Sequence, residues 1–297
     1  MFTTFTYREV VRRWAGACIA LSLLSVALPT PTAAQQQPPR PNIRVMFIGN
    51  SYTFTNNLGD VVAGIAASQK DGPTIAPTIV ARGGAHLDWH LKNGPAMSLL
   101  QAGGWDYVVL QEFSTLGGEI GKPEVGDPEP FYANVREWVP KIRAAGAKPV
   151  LLMTWARRGA KESEAAKLFG AYEHIGHELD VKIAPAGPAW AEAHRRLRTL
   201  DLHIYDASHP TEAGSYLTAL VIYATLTGRN PSGVAATIYG HPVDTDGAGG
   251  FGAGASPTAV PDMTLTVPLV ELGPATAAEL QRVAWDTVSS PATASVH

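Results

Sequence analysis

The sequence predicts an α/β fold: a three-layer α/β/α sandwich around a mostly parallel sheet of about five strands. Two observations carry that prediction. Short apolar runs alternate with longer amphipathic stretches from residue 43 to residue 227. The apolar runs also lack the in-out alternation of a strand with one wet face, as expected when helices cover both faces of a sheet.

The elements follow in order. Residues 43–48 read as a first buried strand and 58–69 as a helix, followed by a second strand over 75–81 and helical material over 87–100. Residues 107–110 form a third strand with no polar interruption, 131–144 a helix, and 149–154 a fourth strand. A long helix over 162–179 precedes a short fifth strand at 181–184, and helices are expected over 189–199 and 211–227. Beyond Gly228 the alternation weakens. Residues 246–256, rich in Gly and Ala, read as a surface loop. Residues 264–272 suit an extra strand or edge segment, and 275–287 suit a closing helix. There is no internal repeat, and the layout is similar to that of flavodoxin.

The chain before residue 43 reads differently. Arg8, Arg12 and Arg13 are followed by an apolar run over 15–28, small residues up to Ala34, and a Gln/Pro tract. That order suits a secretory signal over 1–34, cleaved after Ala34, with a flexible leader over 35–42. The apolar run is shorter than the roughly 20 residues that span a bilayer, so no stable membrane insertion is expected once the signal is removed. Arg12-Arg13 fits a twin-arginine signal poorly, and ordinary export to a periplasmic or extracellular location is expected. Residues 43–289 then form one domain, with a disordered tail over 290–297.

Composition narrows the chemistry. Cys18, the single cysteine, lies in the expected signal, so the mature protein has neither disulfides nor a cysteine nucleophile. A formal charge of −3 gives no reason to expect nucleic acid as a partner.

Parallel sheets bind ligands at the carboxyl ends of their strands, which directs attention to two segments. In Phe47-Ile48-Gly49-Asn50-Ser51-Tyr52, a strand ends at a glycine and Ser51 follows just before a helix. A turn serine or a helix cap would look the same. In Tyr205-Asp206-Ala207-Ser208-His209-Pro210, an Asp three residues before a His, in a loop closed by proline, can supply a base and the carboxylate that orients it. A surface turn with a solvated histidine would also look the same. Together, at opposite ends of one α/β pattern, the two segments point to nucleophilic catalysis by Ser51, His209 and Asp206.

At these residues the sequence resembles the SGNH (GDSL-type) hydrolases over roughly residues 43–227. The resemblance implies Ser51 as nucleophile, Gly84 in Arg82-Gly83-Gly84-Ala85 as the oxyanion glycine, and Asp206 with His209 as the last block. The serine block departs from the usual Gly-Asp-Ser by reading Gly49-Asn50-Ser51. The usual Gly-x-Asn-Asp block is absent, and Leu110-Gln111-Glu112-Phe113-Ser114 stands in its place. Relatives that remove acetyl groups from sugars have a Gln in this region. The resemblance therefore implies an oxyanion hole made by Ser51, Gly84 and Gln111, with Ser114 as the other candidate for the third donor.

No cofactor and no metal are expected. His86 and His90 have a spacing that suits two ligands on one helix face, but Leu87 stands where a zincin pattern needs Glu. Trp155 and Glu112 read as core aromatic and buried, paired carboxylate, and His174 and His177 as ordinary helix residues. The expected substrate is a small-molecule or polysaccharide ester, a short acyl (acetyl) ester of carbohydrate above all. The alternatives are a lipase or aryl esterase of the same fold, or a non-catalytic polysaccharide-binding module.

Overall fold

The computed structural model describes residues 42–119, 121–243 and 261–290. All of them belong to the second of two units, Arg40–His297, into which the chain divides. The expected signal, nearly all of the leader, the 246–256 stretch and the tail beyond residue 290 lie outside the described residues.

Five parallel strands form the central sheet: β1 (Asn42–Gly49), β2 (Thr74–Ala81), β3 (Tyr107–Leu110), β4 (Lys148–Leu152) and β5 (Lys182–Ala184). Their order is β2-β1-β3-β4-β5, so the direction of winding reverses between β1 and β3. Doubly wound sheets open a ligand crevice at the carboxyl ends of the strands flanking that reversal.

Alternate residues of β1 serve opposite layers. Val45 and Phe47 pack on one side with α2 (Leu58–Ser68), α7 (Ala186–Arg196), α8 (Glu212–Thr227) and α9 (Pro274–Val288). Met46 and Ile48 pack on the other with α3 (Leu87–Lys92), α4 (Ala96–Ala102), α5 (Glu129–Ala144) and α6 (Glu162–Leu179). Both faces of the strand are buried, which is why its sequence shows no alternation.

Several elements differ in detail from the sequence reading. The helical material expected over 87–100 divides into two helices, because Gly94 takes φ +73° and Pro95 disfavours helical backbone before it. The helix expected over 189–199 starts at Ala186 and ends at Arg196. The extra strand near 264–272 is β7 (Val267–Glu271), and it pairs antiparallel with β6 (Thr237–Gly240), which the sequence reading missed. Strand β7 packs on α8 together with α7 and α9, and α8 is buried from Ala213 through Leu226. A helix that is apolar all round must be covered all round.

Candidate active site

The serine loop is shaped by close packing. Gly49 ends β1, and a Cβ there would collide with Thr53 Oγ1 and Gln111 Oε1. Only glycine fits such an approach. Asn50 then caps the short helix α1 (Ser51–Phe54), its Oδ1 accepting from the Tyr52 N–H at 3.2 Å. Ser51 stands at the first position of that helix, just beyond the carboxyl end of β1. Side chains distant in sequence hold this turn. Gln111 Oε1 accepts from Asn50 N–H and from the Thr53 hydroxyl, both at 2.9 Å. Asn50 Nδ2 donates to Ala85 C=O at 3.0 Å, tying the serine loop to the glycine loop, and His90 Nε2 donates to Gly49 C=O at 2.7 Å.

The histidine loop joins α7 to α8 and combines bonds among its own atoms with bonds from the segment after β4, where the Arg158 N–H donates to Ala207 C=O at 2.9 Å. Asp206 Oδ1 accepts from the Ser208 and His209 N–H groups, each at 2.9 Å, and Ala207 adopts a left-handed φ of +61°. The Ile204 N–H donates to His209 C=O, and an antiparallel bridge between His203 and Pro210 closes the loop. Helix α8 starts directly afterwards, with Thr211 Oγ1 accepting from Gly214 N–H.

These two loops meet. His209 Nε2 lies 2.7 Å from Ser51 Oγ, and His209 Nδ1 lies 2.5 Å from Asp206 Oδ2. The chain Ser51–His209–Asp206 is thus continuous and largely enclosed, with the His209 side chain 12% and the Asp206 side chain 22% exposed. Burial pushes the His209 ring below the ordinary histidine range, Asp206 opposes it, and the Arg157 charge adds to it. Desolvation outweighs Asp206, which by itself would raise the ring. Burial also raises the Asp206 carboxyl, but hydrogen bonds from the His209 ring and from the His209 and Ser208 N–H groups outweigh it and hold the carboxyl low. A neutral histidine beside a hydroxyl and an ionised carboxylate beyond it is an arrangement suited to proton abstraction.

Tyr52 packs around this chain. Its ring stacks on Trp155 at 4.5 Å and meets the His209 ring edge-on at 5.4 Å, and its hydroxyl pairs with Ser208 Oγ at 2.8 Å. Trp155 lies between Tyr52 and Trp190 and donates from Nε1 to Ser208 C=O at 3.0 Å, so it supports the site from the core. Gly84 has φ +68° and open space where a side chain would be. Neither its N–H nor that of Ser51 has a hydrogen-bond partner among the described residues.

Gln111 is where the structure corrects the sequence reading. It follows β3 at the sheet's carboxyl edge as expected, but it is 1% exposed and turned beneath the serine loop. Its oxygen is taken by Asn50 and Thr53, and its amide nitrogen donates to Glu112 C=O. The residue braces the turn and presents no amide to the crevice. The other third-donor candidate, Ser114, has its Oγ bonded by Arg157 Nη2 at 3.1 Å. Glu112 is the buried, paired carboxylate its sequence suggested: it meets His86 Nδ1 at 2.9 Å and accepts from the Phe113 N–H and Asn134 Nδ2. His86 and His90 diverge, one toward Glu112 and the other beneath Gly49. Among the described residues, no cluster of three or more His, Cys, Asp or Glu side chains could hold a metal ion, and no helix is long and apolar enough to cross a membrane.

Sequence reasoning missed the bracing residues Asn50, Thr53 and His90, and also Tyr52 and Arg157. The one local hint was the polar cluster Asn50 to Thr53 directly after a buried strand.

No protein-family model matches the sequence, and no curated protein matches it. Solved structures do match. A protein assigned to the SGNH hydrolases from Slackia heliotrinireducens is 25% identical, with a TM-score of 0.50 over 62% of this chain and 99% of that one. A DUF4886 family protein from Bacteroides uniformis is 18% identical, with a TM-score of 0.59 over 84% of this chain and 96% of that one, a likeness of fold. In fold, and by its likeness to the Slackia protein, the chain is similar to the SGNH hydrolases.

Proposed function

We propose that the protein is an exported serine ester hydrolase that removes short acyl groups, acetyl above all, from a carbohydrate or similar small ester. The observation that carries the reading is the hydrogen-bonded chain from Ser51 Oγ through His209 to Asp206. His209 Nε2 takes the Ser51 proton as Oγ bonds to the ester carbonyl carbon. The N–H groups of Ser51 and Gly84 hold the developing oxyanion, and the Asp206 carboxylate stabilises the imidazolium. Collapse of the intermediate expels the alcohol, which leaves with the proton from His209. A water then gives a proton to His209 and attacks the acyl carbon, and Ser51 Oγ departs with that proton restored. Gln111 takes the part of a positioning residue beneath the nucleophile. The basic and apolar amino-terminal segment supports export.

The test is a kcat/KM survey of short-chain aryl esters and acetylated saccharides with the wild-type chain and with Ser51→Ala. The variant should lose several orders of magnitude while remaining folded. Retention of more than about a tenth of the activity would exclude Ser51 as nucleophile. The same survey run against pH should show activity rising through one ionisation below the ordinary histidine value of about 6.5, because burial depresses His209. A midpoint above that value would contradict His209 as the base in this setting.

A further inference from the structure

A cavity of about 220 Å³ lies beside the site, between the segment that follows β4, the first half of α6, and α7. Trp155, Arg157, Arg158, Phe169, Trp190 and His203 are among the residues lining it. Two of its lining residues, Trp155 and Arg157, reach toward the Ser51–His209 pair. Trp155 bonds the backbone of Ser208, next to His209, and Arg157 bonds Ser114 and lies near enough for its charge to depress the His209 ring.

We propose that this cavity is a subsite for a carboxylate-bearing part of the substrate, with Arg157 as the residue that recognises it. The proposal rests on the ester-hydrolase reading and deepens it by naming an acidic ester as the substrate class.

Charge is the first argument. Among the described residues, no carboxylate lines the cavity, whereas Arg157, Arg158 and His194 do. Arg158 is already committed to Asp201 at 3.1 Å and to His203 C=O at 2.7 Å. Arg157 is half-buried, and no carboxylate among the described residues pairs with it. A guanidinium withdrawn from water without a counter-ion is costly, and a carboxylate is the group its planar fork fits best.

Unmet hydrogen-bonding capacity is the second. Two buried polar atoms in this lining, Arg157 Nε and His203 Nδ1, have no hydrogen-bond partner among the described residues. His203 is only 4% exposed, and burial holds its ring to about 4, so it is neutral near pH 7. Its Nε2 donates to Ala156 C=O at 3.1 Å, which leaves Nδ1 as a bare acceptor. The cavity thus offers a donor for an anion and an acceptor for a hydroxyl, a pairing that suits a hydroxylated acid such as a uronate unit.

Two matched pairs of esters test the proposal. The first pair is 4-nitrophenyl hemisuccinate against 4-nitrophenyl butyrate, with the carboxylate on the acyl side. The second is O-acetylated galacturonate against O-acetylated galactose, with it on the alcohol side. In at least one pair the acidic ester should be preferred in kcat/KM by about tenfold or more, the size of one charge-assisted hydrogen bond. Arg157→Gln should erase that preference, Arg157→Lys should keep part of it, and Ala191→Trp, which fills the cavity from α7, should also reduce it. The charged groups acting on His209 are Asp206 and Arg157. Arg157→Gln should therefore move the acid limb of the pH profile upward, an effect that loss of packing alone would not produce. No preference in either pair, or a preference that survives Arg157→Gln, overturns the subsite while leaving the hydrolase reading intact. Inactivity toward all four esters overturns both.

Discussion

The loop that carries Ser51 and the loop that carries His209 achieve fixed geometry in different ways. The serine turn is held from outside, by Gln111, by His90 and through Ala85, residues that lie 61, 41 and 35 positions away from their partners. The histidine turn has a frame of its own, Asp206 accepting from N–H groups two and three residues ahead and Ala207 left-handed, to which Trp155 Nε1 and the Arg158 N–H add bonds from the segment after β4. The first depends on the sheet having assembled, because β1 and β3 must pair before Gln111 lies under Asn50. The second is written in consecutive residues. Changes beneath the serine turn should therefore reach both the chemistry and the fold, and changes within the histidine turn should stay local.

The largest effect should come from Gly49→Ala. The added methyl would push against Thr53 and Gln111 and displace Ser51 from His209. A shift of about 1 Å at a reacting group costs roughly 10² in rate, and overpacking costs about 1–3 kcal/mol of stability. Unchanged kcat with a normal melting temperature would show that the serine turn is less tightly held than described.

Gln111→Ala should come next, and it separates a brace from a donor. Removing the amide leaves Asn50 N–H and the Thr53 hydroxyl buried without an acceptor, at about 1–3 kcal/mol each. For a chain of this size the melting temperature should fall by roughly 2–4 °C per kcal/mol, along with kcat. A large drop in kcat with no thermal shift would instead return Gln111 to the oxyanion hole.

The smallest effect should be that of Ala207→Gly. Glycine relieves the cost of the left-handed backbone but gains freedom in the unfolded chain, and the two contributions, each about 1 kcal/mol, nearly cancel. Activity should stay within about twofold and the melting temperature within a few degrees. A loss as large as that of Gly49→Ala would break the contrast between the loops.

The same contrast explains what could be read in advance. The sheet was legible because β1 and β3 are continuous apolar runs buried on both faces, and Asp206 with His209 was legible because their contact spans three residues. The direction of the Gln111 side chain was not, since it is decided by how closely Gly49 approaches β3. Strand β6 escaped for a similar reason: four residues ending in Gly240 carry little periodicity, and their place is set by pairing with β7 across a bulge and a long gap in sequence. The predominantly apolar α8 was the available clue that such a cover existed.

The central claim is that Ser51 is the nucleophile because His209, held by Asp206, takes its proton. Reaction with a fluorophosphonate, followed by mass mapping of the peptides, tests it most directly, since the reagent is attacked only by an activated hydroxyl and needs no knowledge of the substrate. The account predicts one adduct per chain on Ser51, absent in Ser51→Ala and slowed by at least about 10³-fold in His209→Ala. An adduct on another serine, or equally fast labelling of Ser51 without His209, would contradict it.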